Sequence, residues 1–422
     1  MNAIRNHPLI DILRRNKGNT RTLILMEPLW GIPFNLIAPF ATLYMYTQGI
    51  DDVQIGLIIS ISMVVQVFFS FSGGIMTDKY GRKKTTIFSD LFGWVIACLI
   101  WAFSNNFWLF LLAAIVNSFD RINWTAWFCF LIEDSDPKDL VGIYTWLHIC
   151  GLVAIFFAPL SGLLINNYSL VPVVRALYII FAVNMAIKVF ITYKYCTETG
   201  RGKIRLEETK HTPVLKMLEE YKVLIPMVLK NREVMKAVMI SVILYIAYTV
   251  SGSFFGLYVT QKLGIDQVYL ALFPILNAAV MLIFMIGIQH KIDAVKLKIP
   301  MWSGFIIFIL STILLIFTPV GVLSIPLIVL HVFLGAIGGA LAVPRKDALL
   351  QLLIEPEERA RINSLISTFT IAFASPFGYI AGWLSSIDRR LPFILILLIF
   401  IIAIIIVGRI KEPEMAEKKS MG

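Results

Sequence analysis

The sequence predicts an all-α integral membrane protein with twelve transmembrane helices, arranged as two six-helix bundles. The 422 residues are 58% hydrophobic and only 15% charged, whereas a soluble domain carries about 25% charged residues. Apolar runs of about twenty residues, the length that crosses the hydrocarbon core of a bilayer, recur along the whole chain. In addition, the second half of the chain repeats several short features of the first half.

Each predicted helix is one of these apolar runs, and we number them helix 1 to helix 12 in chain order. In the first half they are placed at 22–48, 54–77, 85–104, 107–132, 141–166 and 172–195. In the second half they are placed at 236–262, 267–290, 300–319, 326–354, 361–386 and 391–409. The predicted domains are therefore an N-terminal segment 1–21, a bundle 22–195, a linker 196–235, a bundle 236–409 and a tail 410–422.

The distribution of basic residues predicts the orientation. Lysines and arginines are concentrated in the loops that follow even-numbered helices, such as 78–84 and 194–236, and none occurs in 49–54 or 104–107. Basic loops stay in the cytoplasm, so we expect a multi-pass protein of the cell membrane with both termini and the linker inside. Arg389 and Arg390 are the exception.

The net charge of +10 favours contact with anionic lipid headgroups, and we expect no nucleic-acid partner. The first twenty residues contain no long apolar run, so no cleavable signal peptide is expected. The four cysteines form no CxxC or Cys/His cluster, and neither a disulfide framework nor a metal site is expected. Within the linker, a surface helix is predicted from Pro213 to Pro226.

The two halves share a pattern around their fifth helices. Asp134-Ser-Asp-Pro-Lys-Asp139 precedes helix 5, and the charged run 355–361 precedes helix 11. Both helices then contain a central proline followed by glycine, in 158–162 and in 375–378. This echo indicates an internal repeat of six helices.

The loop between helices 2 and 3 carries the most specific motif. It reads Gly74-Ile-Met-Thr-Asp78-Lys-Tyr-Gly81-Arg82-Lys83-Lys84. Gly81 can adopt the positive φ that a tight turn requires. The spacing resembles the loop 2–3 signature of the major facilitator superfamily of transporters. That family has a fold of two six-helix repeats, in agreement with the layout of the chain.

The resemblance implies specific partners for this loop. It directs Asp78 to the start of helix 11, near Ile362, and Arg82 to Glu133 or Asp134. Such a cluster would latch the cytoplasmic side, whereas the alternative is that Arg82 and the lysines only set topology. The second copy of the signature, at 290–298, is reduced to an acid and scattered lysines.

Helix 4 carries candidate residues for the transported solute or proton. The spacing of Asn117, Asp120, Arg121 and Trp124 puts them on one face of the helix. Asp120 lies about 20 Å along the helix from Glu133, near the middle of the membrane. Ionisable groups at that depth are costly and usually functional. Asp120 could therefore carry a proton, alone or with Glu27 of helix 1, and Arg121 could bind the solute. Alternatively, Asp120–Arg121 or Arg121–Glu27 is a locked structural pair, and Glu27 is part of an ion pair on the cytoplasmic side.

Helix 10 offers a second charged set, Arg345 and Asp347, which follows three glycines and Pro344. If both side chains point inward, they suit a solute with an anionic group. The alternative is that Lys346 reaches the interface and Asp347 pairs with Arg345. Further polar candidates, each more typical of helix packing when taken alone, are Gln66, Asn184, Lys188, Asn277 and His331.

Helix 5 contains Ala154, Ala158, Pro159 and Gly162. This run is similar to the helix 5 antiporter motif of drug-exporting members, Gly-xxx-Gly-Pro-xx-Gly-Gly, with alanine at two glycine positions and Leu163 at the last. The similarity favours export. Another exporter feature, an arginine in the outer half of helix 4, is missing. Residues 111–117, which form that part of the helix, include no charged residue.

We therefore expect a secondary active transporter of a small organic solute that works by alternating access, with proton-coupled efflux as the leading hypothesis. Uptake or exchange of a polar solute, such as a sugar or organic anion, is the alternative, and a membrane sensor is a remote one. No catalytic constellation or GxxxxGK[ST] sequence occurs, so neither an enzyme nor ATP hydrolysis is expected. The expected partners are a small molecule and the bilayer, with a proton gradient in place of a cofactor, and the expected state is a monomer.

Overall fold

The computed structural model describes residues 8–136, 139–213, 226, 230–287, 297–354 and 359–410. All elements in these ranges are helical. Eleven helices in this part of the chain are long and apolar enough to cross a membrane. The predicted surface helix in 213–226, the reduced signature at 290–298 and the loop 355–361 lie largely outside the described residues.

The helices of the first half agree with the predicted ones to within a few residues. In chain order they are Asn19–Thr47, Asp52–Tyr80, Arg82–Phe103, Phe107–Asn117 with Asp120–Ile132, Leu140–Ile155 with Ala158–Tyr168, and Leu170–Tyr195. Helix 2 begins at Asp52 because Asp51 caps it: its carboxylate accepts from the backbone of Gln54, whose side chain accepts in return.

The helices of the second half are Arg232–Lys262, Gln267–Ala271 with Phe273–Gly287, Lys298–Ile316, Ser324–Leu353, Arg359–Ile387 and Leu391–Gly408. Two further helices, Pro8–Arg15 and Gly200–Thr209, lie before helix 1 and after helix 6. We call the second of these the linker helix.

Helix 4 differs from its prediction as a single helix over 107–132. It consists of two segments that meet at Ser118 and Phe119, and neither is long enough to be among the eleven spanning helices. The backbone tightens here, because the N–H of Phe119 donates to Val116 and that of Arg121 donates to Ser118. These i→i−3 bonds replace the α-helical ladder and place Asp120 at the start of the second segment.

The chain divides into two compact units. The first consists of Met1–Glu220 together with Asp266–Ile275 and Ser375–Ser386. The second consists of Tyr221–Ile265, Leu276–Ala374 and Ile387–Gly422. The two short inserts in the first unit come from helices 8 and 11, so the predicted domain boundaries at 22–195 and 236–409 stay a prediction.

Glycines explain why the helix 11 insert packs so closely within the first unit. A Cβ atom on Gly56 of helix 2 would lie 2.5 Å from the carbonyl oxygen of Gly378 and 3.0 Å from the Cα of Gly382. Near this contact, Ser60 accepts a hydrogen bond from the backbone N–H of Tyr379 at 2.7 Å. Helices 2 and 11 therefore touch backbone to backbone, which only glycine permits.

The second unit has its own glycine contact and an aromatic core. A Cβ on Gly304 of helix 9 would lie 2.9 Å from the carbonyl oxygen of Gly338 in helix 10. One of the three helix 10 glycines, Gly338, therefore allows close packing of helices 9 and 10. Phe308 and Phe400 stack at 5.0 Å, and the hydroxyl of buried Tyr258 donates to Leu315.

Candidate functional site

The loop between helices 2 and 3 folds around the predicted glycine turn. Gly81 has φ +88°, which confirms the positive φ predicted for it. The turn brings Arg82, the first residue of helix 3, back over the end of helix 2. Its buried guanidinium pairs with Glu133 through contacts of 2.9–3.0 Å and with Asp78 at 3.1 Å. The predicted Arg82–Glu133 partnership is therefore present.

Asp78 has a partner that the resemblance does not imply. One carboxylate oxygen lies 3.1 Å from Arg82, and the other accepts from Arg205 of the linker helix at 2.7 Å. Within the first unit, Asp78 is thus engaged by two arginines, and its predicted contact with helix 11 stays a prediction. Asp134 accepts from Asn19 and from the backbone of Gly200 rather than from Arg82.

Lys83 of the loop also has a structural contact. Its ammonium donates to the backbone oxygen of Tyr193 at 2.8 Å and lies over the ring of that residue. The close approach of helix 2 to helix 4 involves Gly73, which precedes the motif, since a Cβ there would lie 3.4 Å from Ile122. The sequence motif therefore combines a turn with an ion-pair network, and a role for Gly74 stays a prediction.

The break in helix 4 faces an irregular turn of helix 3. Helix 3 widens into a π turn at Leu91–Ile96, and Gly93 within it touches the break: a Cβ there would lie 2.9 Å from the backbone nitrogen of Asp120. Asn117 donates to the Gly93 carbonyl at 2.7 Å. Both Asn117 and Asp120 thus face helix 3, and π turns in helices often occur at functional positions.

The four predicted residues of helix 4 do not converge on one site, in contrast to the prediction that they share a face. Asp120 accepts from the indole N–H of Trp94 in helix 3 at 2.8 Å, while Arg121 donates to Gln66 in helix 2 at 2.8 Å. Trp124 is 62% exposed and lies edge-on to Phe128. The break and the helical turn of about 100° per residue send these side chains in different directions.

Two buried charges lie side by side within the membrane helices: Asp90, which was not predicted as a candidate, and Lys188, which was one of the polar candidates. Asp90 of helix 3 and Lys188 of helix 6 are 1% and 3% exposed, and their charged atoms lie 3.7 Å apart. Asn123 of helix 4 donates to the other oxygen of Asp90 at 2.8 Å. Lys188 also lies 5.7 Å above the ring of Trp127. A buried charge at this depth needs such partners.

Two predicted acids belong to the same cluster. Glu27 of helix 1 and Asp120 of helix 4 are half-buried and close enough to Lys188 to interact with it electrostatically. We call Glu27, Asp90, Asp120 and Lys188 the buried charge cluster. It brings three carboxyl groups and one ammonium together from four helices, with Arg121 acting on Asp120 from its other side.

Aromatic side chains lie beside this cluster. Trp94, which binds Asp120, packs edge-on against Trp30 and Phe34 of helix 1 and lies 5.0 Å from Phe181 of helix 6. Trp30 and Phe34 stack on each other at 4.9 Å. An acidic group with aromatic rings nearby is chemically suited to an organic cation rather than to an anion.

A cavity of about 170 Å³ lies in the first unit near the helix 4 break, with Ser62, Asn117 and Tyr178 in its wall. Ligand pockets usually measure about 300–1,000 Å³, so this cavity holds a few atoms rather than a drug-sized molecule. Among the described residues, no group of three or more His, Cys, Asp or Glu could hold a metal ion.

The helix 5 motif makes two close packing contacts. Helix 5 breaks at Phe156 and Phe157, and Pro159 stands in the first turn of its second segment. Ala154 lies 3.2 Å from the position of a Cβ on Gly31, and Gly162 packs against the backbone of Val268. Ala158 is fully buried. Helix 5 is therefore kinked and packs closely against helix 1 and against 267–271.

In the second unit, the helix 10 candidates point apart. Arg345 is 7% exposed and donates to the carbonyl of Ala340 in its own helix at 3.1 Å. Asp347 is exposed and pairs with its neighbour Lys346 rather than with Arg345. Asn277 is exposed on helix 8. Arg345 and Asp347 therefore do not pair with each other, and their predicted role in binding a solute stays a prediction.

Comparison with known proteins places the chain in a family. The sequence profile described as Major Facilitator Superfamily matches residues 29–378. An uncharacterized MFS-type transporter, YqjV of Bacillus subtilis, is 26% identical over 34% of this chain and 35% of the relative. The multi-drug resistance efflux pump PmrA of Streptococcus pneumoniae is 29% identical over 36% and 38%. The chain thus aligns with little more than a third of these relatives.

Multidrug resistance protein MdtG of Serratia proteamaculans is 32% identical over 34% of this chain and 36% of its own. Among solved structures, a mutant of the nucleoside transporter NupG has a TM-score of 0.72 at 16% identity, covering 92% of this chain and 98% of that one. The xylose transporter XylE from E. coli has a TM-score of 0.62 at 12% identity, covering 94% and 96%.

These likenesses confirm the predicted all-α fold of twelve membrane helices in two six-helix bundles and the multi-pass membrane character. They also confirm that the chain is a member of a transporter family and not an enzyme. With its profile matched over 29–378, the chain belongs to the Major Facilitator Superfamily.

Proposed function

We propose that this protein exports a small organic cation across the cell membrane in exchange for protons, by alternating access, as a monomer with both termini in the cytoplasm. The observation that carries the proposal is the buried charge cluster, where three carboxyl groups face one ammonium. The proton gradient supplies the driving force, so no cofactor is needed.

The charge balance of the cluster supports proton exchange. With all groups ionised, Glu27, Asp90 and Asp120 carry three negative charges against the single positive charge of Lys188. Like charges within a low-dielectric interior repel strongly, so such a set favours uptake of a proton or a cation. Because the same carboxyl groups bind either the proton or the cation, binding of one excludes binding of the other, as antiport requires.

Differences in exposure suggest which acid exchanges its proton. Asp90 is nearly inaccessible and is held by Asn123 and Lys188. Glu27 and Asp120 are half-buried and so keep a path to water. We therefore assign the exchanging proton to Asp120 with Glu27, in line with the sequence-based hypothesis, and a charge-balancing role to the Asp90–Lys188 pair.

The solute class follows from the surroundings of the acids. Trp30, Phe34 and Trp94 offer apolar ring faces beside Asp120. Cations over such faces gain about 0.5–2 kcal/mol. The names of the aligned relatives PmrA and MdtG describe drug efflux or resistance, which is compatible with export. The small-residue helix 5 motif is a further similarity to exporters.

The experiment is ethidium transport into inverted membrane vesicles with and without an imposed pH gradient. Wild type should accumulate ethidium only with the gradient. Asp120→Asn and Glu27→Gln should abolish this, while the matched control Glu207→Gln, on the exposed face of the linker helix, should retain it. Gradient-driven transport by Asp120→Asn would overturn the assignment of the proton to Asp120.

A second candidate function has one observation in its favour. Arg345 is a buried cation of the second unit, and it would suit the anionic group of a polar solute taken up or exchanged. Under this function, wild type would move an organic anion such as citrate instead of ethidium. Arg345→Gln would then remove that transport, whereas the first function predicts little effect of this change.

A further inference from the structure

The chain just after helix 6 is bound to the loop 2–3 motif. Thr197 and Asn19 exchange two hydrogen bonds of 2.9 Å, so the segment is fastened where it leaves the membrane helix. Thr199 then caps the linker helix, accepting from the backbone of Gly202 at 2.9 Å. We call 197–212 the linker clasp. Sequence reasoning treated these residues only as a polar linker.

Glu198 of the clasp binds the beginning of helix 3. Its carboxylate accepts from the backbone N–H groups of Arg82 at 3.0 Å and Lys83 at 3.1 Å. The first N–H groups of a helix have no partner within the helix, and a negative charge there is stabilised by the helix dipole. Gly81 leaves room for this contact, because a Cβ would lie 2.5 Å from Glu198.

Arg205 of the clasp binds the acid of the same motif. Its guanidinium donates to Asp78 at 2.7 Å and, through its other nitrogen, to Glu208 at 2.9 Å. The backbone on both sides is fastened as well. Thr209 donates to the carbonyl of Asp78 at 3.2 Å, and Lys79 donates to the carbonyl of Thr212 at 2.8 Å.

The three charged residues of the loop network therefore each have a clasp partner. Glu198 binds the backbone of Arg82, and Arg205 binds Asp78. Thr199 donates to Glu133 at 2.6 Å. The guanidinium of Arg82 touches both Asp78 and Glu133 and could shift toward either one. The clasp contacts hold both acids in place, together with the start of helix 3 that carries Arg82.

We propose that Glu198 and Arg205 are positioning residues of transport: the linker clasp holds Asp78, Arg82 and Glu133 in the one arrangement that lets the end of helix 2 and the start of helix 3 move as a single piece. Neither residue belongs to the buried charge cluster. Their loss should therefore slow turnover without weakening solute binding. The transport part of this inference rests on the proposed function, but docking of the clasp can be measured without it.

Cys196, directly before the clasp, reports docking. It is 1% exposed within the hydrophobic core formed with Leu23 and Phe130. Burial raises the pKa of its thiol to about 11, and only the thiolate reacts readily. Because Cys196 directly precedes the clasp in the chain, we expect lifting of the clasp to pull this residue out of the core and expose its thiol, so the alkylation rate should report how often the clasp lifts.

The first experiment follows alkylation of Cys196 by N-ethylmaleimide in the purified full chain, read by mass spectrometry of the peptide. Arg205→Gln and Glu198→Gln should each speed the reaction by about tenfold, equivalent to about 1.4 kcal/mol of docking free energy. Lys203→Gln, which removes an exposed charge from the same helix, should leave the rate unchanged. Arg205→Lys and Glu198→Asp should recover part of the protection. Wild-type rates in both glutamine variants would overturn the clasp.

A double-mutant cycle tests whether the contact with Asp78 does the positioning. Asp78→Asn and Arg205→Gln should together accelerate alkylation by less than the product of their separate effects, because both remove the Asp78–Arg205 contact while Asp78→Asn also weakens the pair with Arg82. Additive effects would contradict the assignment of Arg205 to Asp78. This result does not depend on any transported solute.

The last measurement connects docking with transport. In the vesicle assay, Arg205→Gln should lower the maximal rate of ethidium transport while its KM stays at the wild-type value. An unchanged maximal rate in a variant with fast Cys196 alkylation would refute the role in transport. If the wild-type protein transports no ethidium, the proposal of cation export is wrong. The double-mutant cycle measured by Cys196 alkylation still decides whether the clasp positions the loop.

Discussion

The two units differ in where they place charge. Among the described residues, the first unit buries Asp52, Arg82, Asp90, Asp139 and Lys188, whereas the second unit buries Arg345. The second unit is held by a glycine contact and stacked phenylalanines. Helices 4 and 10 occupy matching places in the sequence repeat, yet only helix 4 directs an acid toward a buried lysine. Two repeats of one fold can thus share the same kind of helix packing while most of the buried charged residues lie in only one of them.

The largest expected effect comes from removing the lysine of the buried charge cluster. Lys188→Met leaves Asp90 buried without its counter-ion, which should lower the free energy of unfolding by about 3–5 kcal/mol. Arg345→Met in the second unit leaves no such carboxylate and should cost far less. Unfolding in mixed detergent micelles with increasing SDS measures both.

The control for this comparison is the double variant Asp90→Asn with Lys188→Met. It removes both charges of the pair, so it should regain most of the stability lost in Lys188→Met. A double variant as unstable as the single one would show that the two residues are not an ion pair, and the contrast between the units would lose its main support.

An intermediate effect on stability is expected at the glycine contacts, of which each unit has its own. Gly56→Ala and Gly304→Ala each place a Cβ against a facing backbone oxygen, at 2.5 Å and 2.9 Å. Overpacking of this kind costs about 1–3 kcal/mol, with the larger loss expected at Gly56. Gly151→Ala is the matched control, because nothing lies within 4 Å of its added Cβ. Equal melting temperatures for all three variants would contradict the close contacts.

The smallest expected effect concerns Asp388, a charge of the second unit outside the membrane helices. The backbone N–H of Arg390 and then Lys262 lower the pKa of Asp388. A carboxyl group with a lowered pKa adds stability above its ordinary pKa and loses it as the pH falls through the lowered value. Because Asp388 is more than a third exposed, solvent screening reduces the gain to about 0.5 kcal/mol or less.

Asp388→Asn should therefore melt slightly below wild type at pH 7, and the difference should vanish in strong acid. Melting temperatures of both proteins across this pH range test the expectation. A difference that grows on acidification would mean that the pKa is raised and that the assigned contacts are wrong.

Apolar run length and turn chemistry predicted most of the fold. Hydrophobic length fixes where a helix enters and leaves a bilayer, and Gly81 marks a turn by its own backbone preference, whereas the cap formed by the Asp51 side chain was not predicted. The break in helix 4 was not predicted, because Ser118 and Phe119 are ordinary helix residues. It depends on the approach of Gly93 from another helix, a tertiary contact.

The candidate site was only partly predictable. Arg82 and Glu133 lie in recognisable loop positions, and their partnership followed from the family resemblance. Asp90 was overlooked because it follows the basic loop by two turns and resembles a residue near the membrane surface. Its one available signal was an aspartate in an otherwise uncharged run, together with a lysine, Lys188, between apolar residues in helix 6. Pairing them requires the packing of helices 3 and 6, which no spacing in one helix reveals.

The position of the linker clasp determines where this protein can be divided into two genes. A fragment that stops at Tyr195 lacks Glu198, Thr199 and Arg205, so the loop between helices 2 and 3 would lose its partners. A fragment that continues through Thr212 keeps them. Co-expression of complementary fragments should therefore reconstitute a working protein only when the cut lies beyond Thr212, and fluorescent or affinity tags are best inserted with the same boundary in mind.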